Sequence, residues 1–347
     1  MSSERPLMHL VFAADNGFAR QLLVSSASAV YAMRGGCETP VVHVLDCGLT
    51  DTTWADYEAT IRHLAEKVGL HVEVVRHFID MRRFADFACW TNGSRATWAR
   101  LLIPELLVDV DQCLYSDCDV FFIGNPSETL ASLDAGAILA GHRNPFGDLS
   151  PDARYFRAKN LPFSAETYLC SGFLAMNVKA FREEGLVARC FDFARQHLDA
   201  VAPDQNVLNA VAYGRTAILP DGWGLFTHEC YAFEGPIKAI HFSGGWPWVR
   251  PKNGFDAMCV SLSREACAIW HDFESRVLGL PPSAAAKPTR FQSLYGKILL
   301  WVSRLMNHLS LPIPRHRTLQ ELVAAYDQKR FTKSDRLELI TKMKGIA

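Results

Sequence analysis

At 347 residues, 49% of them apolar and 21% charged, the chain is long enough for one large α/β domain with an appendage or for two domains, and too apolar for wholesale disorder. A formal net charge of −1 removes any overall electrostatic pull toward nucleic acid. Ten cysteines with no C-x-x-C pair speak against a disulfide frame or a cysteine zinc site, and for reduced, mostly buried thiols in a reducing cytoplasm.

Leu7 to Ala14 is a strand-length apolar run ending at Asp15-Asn16-Gly17. It is short, contains His9 and stops at an acid, so it reads as a strand and not a secretion signal. No stretch reaches the roughly eighteen uninterrupted apolar residues that cross a bilayer. Phe18 to Met33 carries helical periodicity, Val41 to Leu45 is a second strand, Trp54 to Val68 a second helix and Val72 to Val75 a third strand. Strand, helix, strand, helix, strand predicts parallel crossovers, with ligands bound beyond the carboxyl ends of the strands, where Ala14-Asp15-Asn16 falls. Asp, Asn and Gly are equally the residues of an ordinary turn.

Thr91 to Ser94 reads as a turn and cap before a helix from Arg95 to Leu107, whose Arg100 lies among Trp98, Leu101 and Leu102. Such an Arg either snorkels to solvent or pairs with an anion. Asp117-Cys118-Asp119 interrupts the apolar runs Cys113 to Tyr115 and Val120 to Ile123. Side chains two apart on a strand share a face, so this spacing can aim two carboxylates at one divalent cation. A second such pair, Asp109 and Asp111, lies nearby, so the pattern alone decides little. Asn125-Pro126 opens another helix and Ala135 to Gly141 is a strand.

From His142 to Tyr168 the periodicity lapses into a long aromatic and basic segment, a lid or binding wall if not a disordered loop. Leu169 to Asn177 resumes as a strand with a Gly, followed by a helix from Val187 to Leu198. Pro203-Asp204-Gln205-Asn206 starts a helix with a carboxylate and a carboxamide in its first turn, either as an N-cap or as functional groups. Ala239 to Phe242 is a short strand carrying His241 into a Gly-rich turn with Trp246 and Trp248; the imidazole is structural or a ligand. Pro281 to Pro288 is linker-like. Phe291 to Leu309 is an amphipathic helix with a modest basic face, suited to an anionic membrane interface or to docking on the main domain. Asp327 to Lys344 reads as a solvated helix.

In order, Phe12-Ala13-Ala14-Asp15-Asn16, Ala96 to Leu101, Leu114 to Val120, Ser171-Gly172 through Asn177, Asp204 to Asn209 and His241-Phe242-Ser243-Gly244 resemble glycosyltransferase family 8. These are retaining, metal-dependent enzymes that include bacterial lipopolysaccharide galactosyl- and glucosyltransferases. The resemblance covers about Leu7 to Trp248. It implies an α/β GT-A fold with a mostly parallel central sheet and flanking helices. The expected layout is a catalytic domain over 1–278, a linker over 279–290 and a C-terminal helical region over 291–347. Ala13, Ala14, Asp15 and Asn16 would hold the uridine and ribose of a UDP-sugar donor, and Arg100 would contact the donor. Asp117, Asp119 and His241 would ligate Mn²⁺ or Mg²⁺, Gly244 would let backbone approach the diphosphate, and Asp204 and Gln205 would face the reacting sugar.

The implied activity is transfer of a galactose or glucose from a UDP-sugar to a cell-surface glycan or glycolipid such as lipopolysaccharide. The expected place is the cytoplasm, with an anionic inner membrane face as a partner and no nucleic acid. Three departures stand out. Cys170-Ser171-Gly172 replaces the family's Asn-Ala-Gly, Trp246 replaces a Lys that contacts the diphosphate, and Phe18 stands where a Tyr would stack on uracil. The first two leave open a catalytically degenerate nucleotide-sugar binding protein. A metal-dependent nucleotidyltransferase would also need paired carboxylates, but no Gly-rich phosphate loop followed by Lys lies near the first strand.

Overall fold

The computed structural model describes residues 5–89, 94–133, 136–145, 147–200, 202–227, 229–231, 233–243, 246–248, 264–283 and 290–309. The chain forms two compact units, residues 1–223 and 224–347.

The first unit begins with β1 (Leu7–Ala14), α1 (Ala19–Ala32), β2 (Thr39–Asp46), α2 (Asp51–Lys67) and β3 (Glu73–Phe78). Thr50 caps α2 by accepting from the Thr53 N–H, and Asp51 and Lys67 place charges of the favourable sign at its two ends. Next come α3 (Ile103–Leu106), β4 (Gln112–Ser116), β5 (Val120–Phe122), β6 (Leu139–Arg143) and α4 (Pro151–Ala158). The unit closes with β7 (Leu169–Asn177), α5 (Val178–Glu183), α6 (Leu186–Gln196), α7 (Pro203–Val211) and β8 (Thr216–Ile218).

Seven strands form one sheet in the order β3-β2-β1-β4-β7-β6-β8. The β1–β2, β2–β3, β1–β4 and β6–β8 pairs are parallel, and β7 runs against both of its neighbours. This is the mainly parallel α/β sheet with flanking helices that the sequence predicts. The largely apolar strands β2 and β7 are buried along almost their whole length, as strands covered on both faces must be. At the sheet edge β3 is only partly buried and carries Glu73, Arg76 and His77. Reversal at β7 brings its first residues beside the carboxyl end of β4, with Ser116 paired to Phe173. The carboxyl ends of β1 and β4 and the start of β7 therefore meet at one end of the sheet, where functional residues can converge.

Two local readings differ from the sequence expectation. The helix expected over Arg95 to Leu107 is a 3-10 helix over Ala96–Leu102 that gives way to α3. Pro104 cannot continue an α-helix without meeting the carbonyl four residues back, and it sits instead in the first turn of α3. The segment from His142 to Tyr168 is not an open loop. Ser150 accepts from the Ala153 N–H, Pro151 is the first helical residue and Asp152 lies in the first turn, so α4 forms with a full set of start signals. Tyr155 and Phe156 of α4 pack with Tyr168, and Leu161, Phe163 and Ala210 join that cluster.

In the second unit β9 (Leu225–Phe226) and β10 (Ala239–His241) pair in parallel, and α8 (Arg264–Arg276) and α9 (Arg290–His308) follow. Trp270 of α8 is fully buried against Phe242 and Trp248, with ring centroids at 5.5 Å and 4.8 Å. On α9 Leu294, Tyr295, Ile298 and Trp301 are exposed apolar side chains. Among the described residues no helix is long and apolar enough to cross a membrane. Thr91 to Gly93, Gly244, most of the linker and the expected helix over Asp327 to Lys344 lie outside the described residues.

Candidate active site

Asp117 and Asp119 are not aligned by strand alternation. They flank a tight turn between β4 and β5, closed by the Val120 N–H donating to the Asp117 carbonyl at 3.3 Å. Cys118, at the tip, is buried, and its thiol donates to the Ala13 carbonyl at 3.3 Å, fastening the turn to the end of β1. Burial, aided by the charges of Asp117 and Asp119, pushes the Cys118 thiol well above its ordinary pKa, so it stays protonated. From the other side the Asp117 N–H donates to the Gly172 carbonyl of β7 at 2.8 Å.

The Asp117 carboxylate is oriented as well. Its Oδ1 accepts from the Tyr115 hydroxyl at 2.7 Å and from Arg100 Nη2 at 2.8 Å. Tyr115 lies on β4 two residues before Asp117, and the Arg100 guanidinium sits 4.3 Å from the centre of its ring. Arg100 is 1% exposed. Its Nε donates to the Thr97 carbonyl at 2.8 Å, and its Nη1 donates to the Ser171 carbonyl at 2.5 Å and lies 3.3 Å from Asp204 Oδ2. Burial works against the charge, but the Asp117 and Asp204 carboxylates outweigh it and raise the Arg100 pKa. One buried cation thus links the acidic turn to the first turn of α7.

Asp204 is fully buried, and the Ser171 hydroxyl donates to its Oδ2 at 3.1 Å. Gln205 accepts the Ser171 N–H on Oε1 at 3.1 Å. Behind them Asn206 donates to Asp152 and to the Tyr168 hydroxyl, and Asn209 bonds both polar backbone groups of Leu169, so α7 is stitched to α4 and β7 by carboxamides.

At the end of β1, Ala14 is buried and Ala13 partly so. Asp15 caps the following 3-10 turn by accepting from the Gly17 N–H at 2.9 Å, and Asn16 accepts from the Thr53 hydroxyl at 2.8 Å. These partners are those of a well-formed turn, and they also hold both side chains at the sheet's carboxyl end. His241 is buried at the end of β10, its ring stacked on Phe226 at 5.0 Å.

Asp117 and Asp119 of the first unit and His241 of the second are the candidate metal-ligating residues. Two carboxylates and an imidazole fit a divalent ion such as Mn²⁺, which accepts both oxygen and nitrogen donors. The competing pair falls away, since Asp109 and Asp111 are exposed in the turn before β4. Sequence reasoning missed Tyr115, Cys118 and Ser171. Strand alternation from Asp117 could have found Tyr115; the roles of Cys118 and Ser171 depend on which strands become neighbours.

The model for "Glycosyl transferase family 8" matches residues 9–251. A curated relative, "Glycosyltransferase GlyB" of Streptococcus pneumoniae serotype 4 (strain ATCC BAA-334 / TIGR4), is 24% identical over 157 residues. That match spans 45% of this chain but only 33% of GlyB. Among solved structures, galactosyltransferase LgtC in complex with donor and acceptor sugar analogs aligns with a TM-score of 0.61 at 20% identity, covering 76% of this chain and 95% of LgtC. Glycosyltransferase GlyE of Streptococcus pneumoniae TIGR4 aligns with a TM-score of 0.51 at 18% identity, covering 80% of this chain and 66% of GlyE. At these identities the structural likenesses establish the GT-A type of α/β fold.

Proposed function

Because the chain belongs to glycosyl transferase family 8, we propose that it is a retaining hexosyltransferase that moves galactose or glucose from a UDP-sugar to a cell-surface glycan or glycolipid of the lipopolysaccharide kind. The observation that carries this reading is the tie from Asp117 through Arg100 to Asp204, beside the candidate metal ligands Asp117, Asp119 and His241.

In this reading those three residues hold Mn²⁺ or Mg²⁺, which when bound would neutralise charge on the diphosphate as UDP departs. Ala13, Ala14, Asp15 and Asn16 hold the uridine and ribose beyond the end of β1. Arg100 serves the donor chiefly by fixing the carboxylates of Asp117 and Asp204, since its bonds go to protein groups. Asp204 and Gln205 face the reacting sugar. Neither is placed as a ready nucleophile: Asp204 Oδ2 is engaged by Ser171 and Arg100, and Gln205 Oε1 by a backbone N–H. Front-face displacement, with the departing diphosphate taking the acceptor's proton, is the mechanism this arrangement favours.

The test is release of UDP from a panel of UDP-sugars with and without Mn²⁺. Turnover of UDP-galactose or UDP-glucose that chelation abolishes supports the reading. No release from any UDP-sugar, with binding retained, would support a degenerate nucleotide-sugar binding protein instead.

We place the protein in the cytoplasm, on the inner face of the membrane, because α9 exposes Leu294, Tyr295, Ile298 and Trp301 and contains Lys297 and Arg304 but no acidic residue. Flotation of the full chain with vesicles containing anionic lipid should be lost on truncation before Phe291. If the truncated chain floats equally well, α9 is not the anchor.

A further inference from the structure

Ser171 sits near the start of β7, and its three polar atoms go to three different side chains of the site. Its N–H donates to Gln205 Oε1 at 3.1 Å, its carbonyl accepts from Arg100 Nη1 at 2.5 Å, and its hydroxyl donates to Asp204 Oδ2 at 3.1 Å. Any residue but proline would supply the first two bonds at this position. Only the hydroxyl depends on the side chain being Ser.

The distances decide what that hydroxyl does. Arg100 Nη1 lies 3.3 Å from Asp204 Oδ2, long for a charge-assisted bond, whose usual range is about 2.7–2.9 Å. Its shorter contacts are to the Ser171 carbonyl and to Asp117, at 2.8 Å for the latter. Arg100 therefore supplies charge to Asp204 but is itself anchored elsewhere, and Ser171 supplies a directional bond to the carboxylate. Gln205 is held at the same point, since its Oε1 accepts the Ser171 N–H.

We infer that Ser171 is a positioning residue for glycosyl transfer, whose hydroxyl fixes the orientation of the Asp204 carboxylate toward the reacting sugar. This rests on the hexosyltransferase reading above. Where the family pattern has Ala, this chain has added a bond to a buried carboxylate, in the same tripeptide in which Cys170 removes an amide. The polar atoms of Ser171 are all engaged by protein side chains, so it acts through Asp204 and its loss should lower turnover more than donor affinity. A hydrogen bond to a charged partner is strong enough to support a change of about tenfold.

The experiment compares Ser171→Ala and Ser171→Thr in the full chain, using the UDP-sugar the wild type consumes best. Ser171→Ala should lower kcat about tenfold with donor KM changed less than about twofold, and Ser171→Thr, which keeps a hydroxyl, should recover most of the loss. An unchanged kcat in Ser171→Ala, or a Thr variant no better than the Ala variant, overturns the inference. If the wild type turns over no UDP-sugar, the functional reading fails separately. A double-mutant cycle of Ser171→Ala with Asp204→Ala, which removes the acceptor, on the thermal midpoint then decides the hydroxyl's part without substrate. Marked non-additivity upholds the Ser171–Asp204 bond, and additive shifts remove the basis of the proposal.

Discussion

Replacing Arg100 with Met would remove a buried cation from beside the fully buried Asp204 carboxylate. Asp117 would lose the same partner, but its side chain is 27% exposed and can recover hydration. The damage should therefore fall mainly on Asp204. Removing one member of a buried ion pair costs about 3–5 kcal/mol, because an uncompensated charge remains in a low-dielectric site. For a domain of this size that corresponds to a fall in thermal midpoint on the order of 10 °C. Adding Asp204→Asn to Arg100→Met removes the stranded charge while keeping a group that can accept the Ser171 hydroxyl. That double variant should regain about 2 kcal/mol relative to Arg100→Met alone. Urea unfolding monitored by tryptophan fluorescence provides the assay. A single variant within about 1 kcal/mol of wild type, or a double variant no more stable than Arg100→Met, would show that Arg100 does not neutralise Asp204.

Two further expectations concern the sheet. His9, His43 and His77 step across β1, β2 and β3 with ring nitrogens 3.0 Å apart at both junctions. Burial, with help from its two neighbours, lowers His43 from 6.5 to about 3, and burial also lowers His9, partly opposed by Glu73, and His77. The folded values lie below the unfolded one, so the unfolded chain binds protons first as pH falls. The stabilising neutral state is complete above the unfolded value, and stability declines below it, with His43 alone accounting for about 2 kcal/mol by about pH 5. Urea unfolding of wild type and His43→Gln at about pH 8 and about pH 5 should show the larger loss on acidification in wild type, and equal losses would refute the imidazole row as its source. At Gly141 of β6 an added Cβ would lie 2.8 Å from Leu174 Cδ2 and 3.1 Å from the Phe173 carbonyl, and backbone cannot give way as a side chain can. Gly141→Ala should cost about 1–3 kcal/mol in urea unfolding, and an unchanged midpoint would contradict the tight β6–β7 packing.

Much of this arrangement is legible in the sequence for identifiable reasons. Alternation of apolar strand runs with amphipathic helices encodes the parallel half of the sheet, and turn residues after β1 mark the carboxyl end of that strand. The direction of β7 is not legible, because a strand buried on both faces reads the same either way. Its reversal nevertheless brings Gly172 to Asp117 and Ser171 to Arg100. Asp117 and Asp119 are visible as a pair, but the turn that aims them depends on Cys118 reaching the end of β1, a contact between residues far apart in the chain. Ser150-Pro151-Asp152 carried start signals for α4, yet eight residues with scattered aromatics give too little periodicity to outweigh a loop reading.

The central claim is that Asp119, not the neighbouring acidic pair, serves a metal-dependent transfer site. Mn²⁺-dependent UDP release from UDP-galactose or UDP-glucose, measured for wild type, Asp119→Asn and Asp111→Asn, tests it most directly. Turnover abolished in Asp119→Asn and retained within about twofold in Asp111→Asn is the predicted result. Equal effects of the two substitutions, or Mn²⁺-dependent turnover surviving in Asp119→Asn, would contradict it.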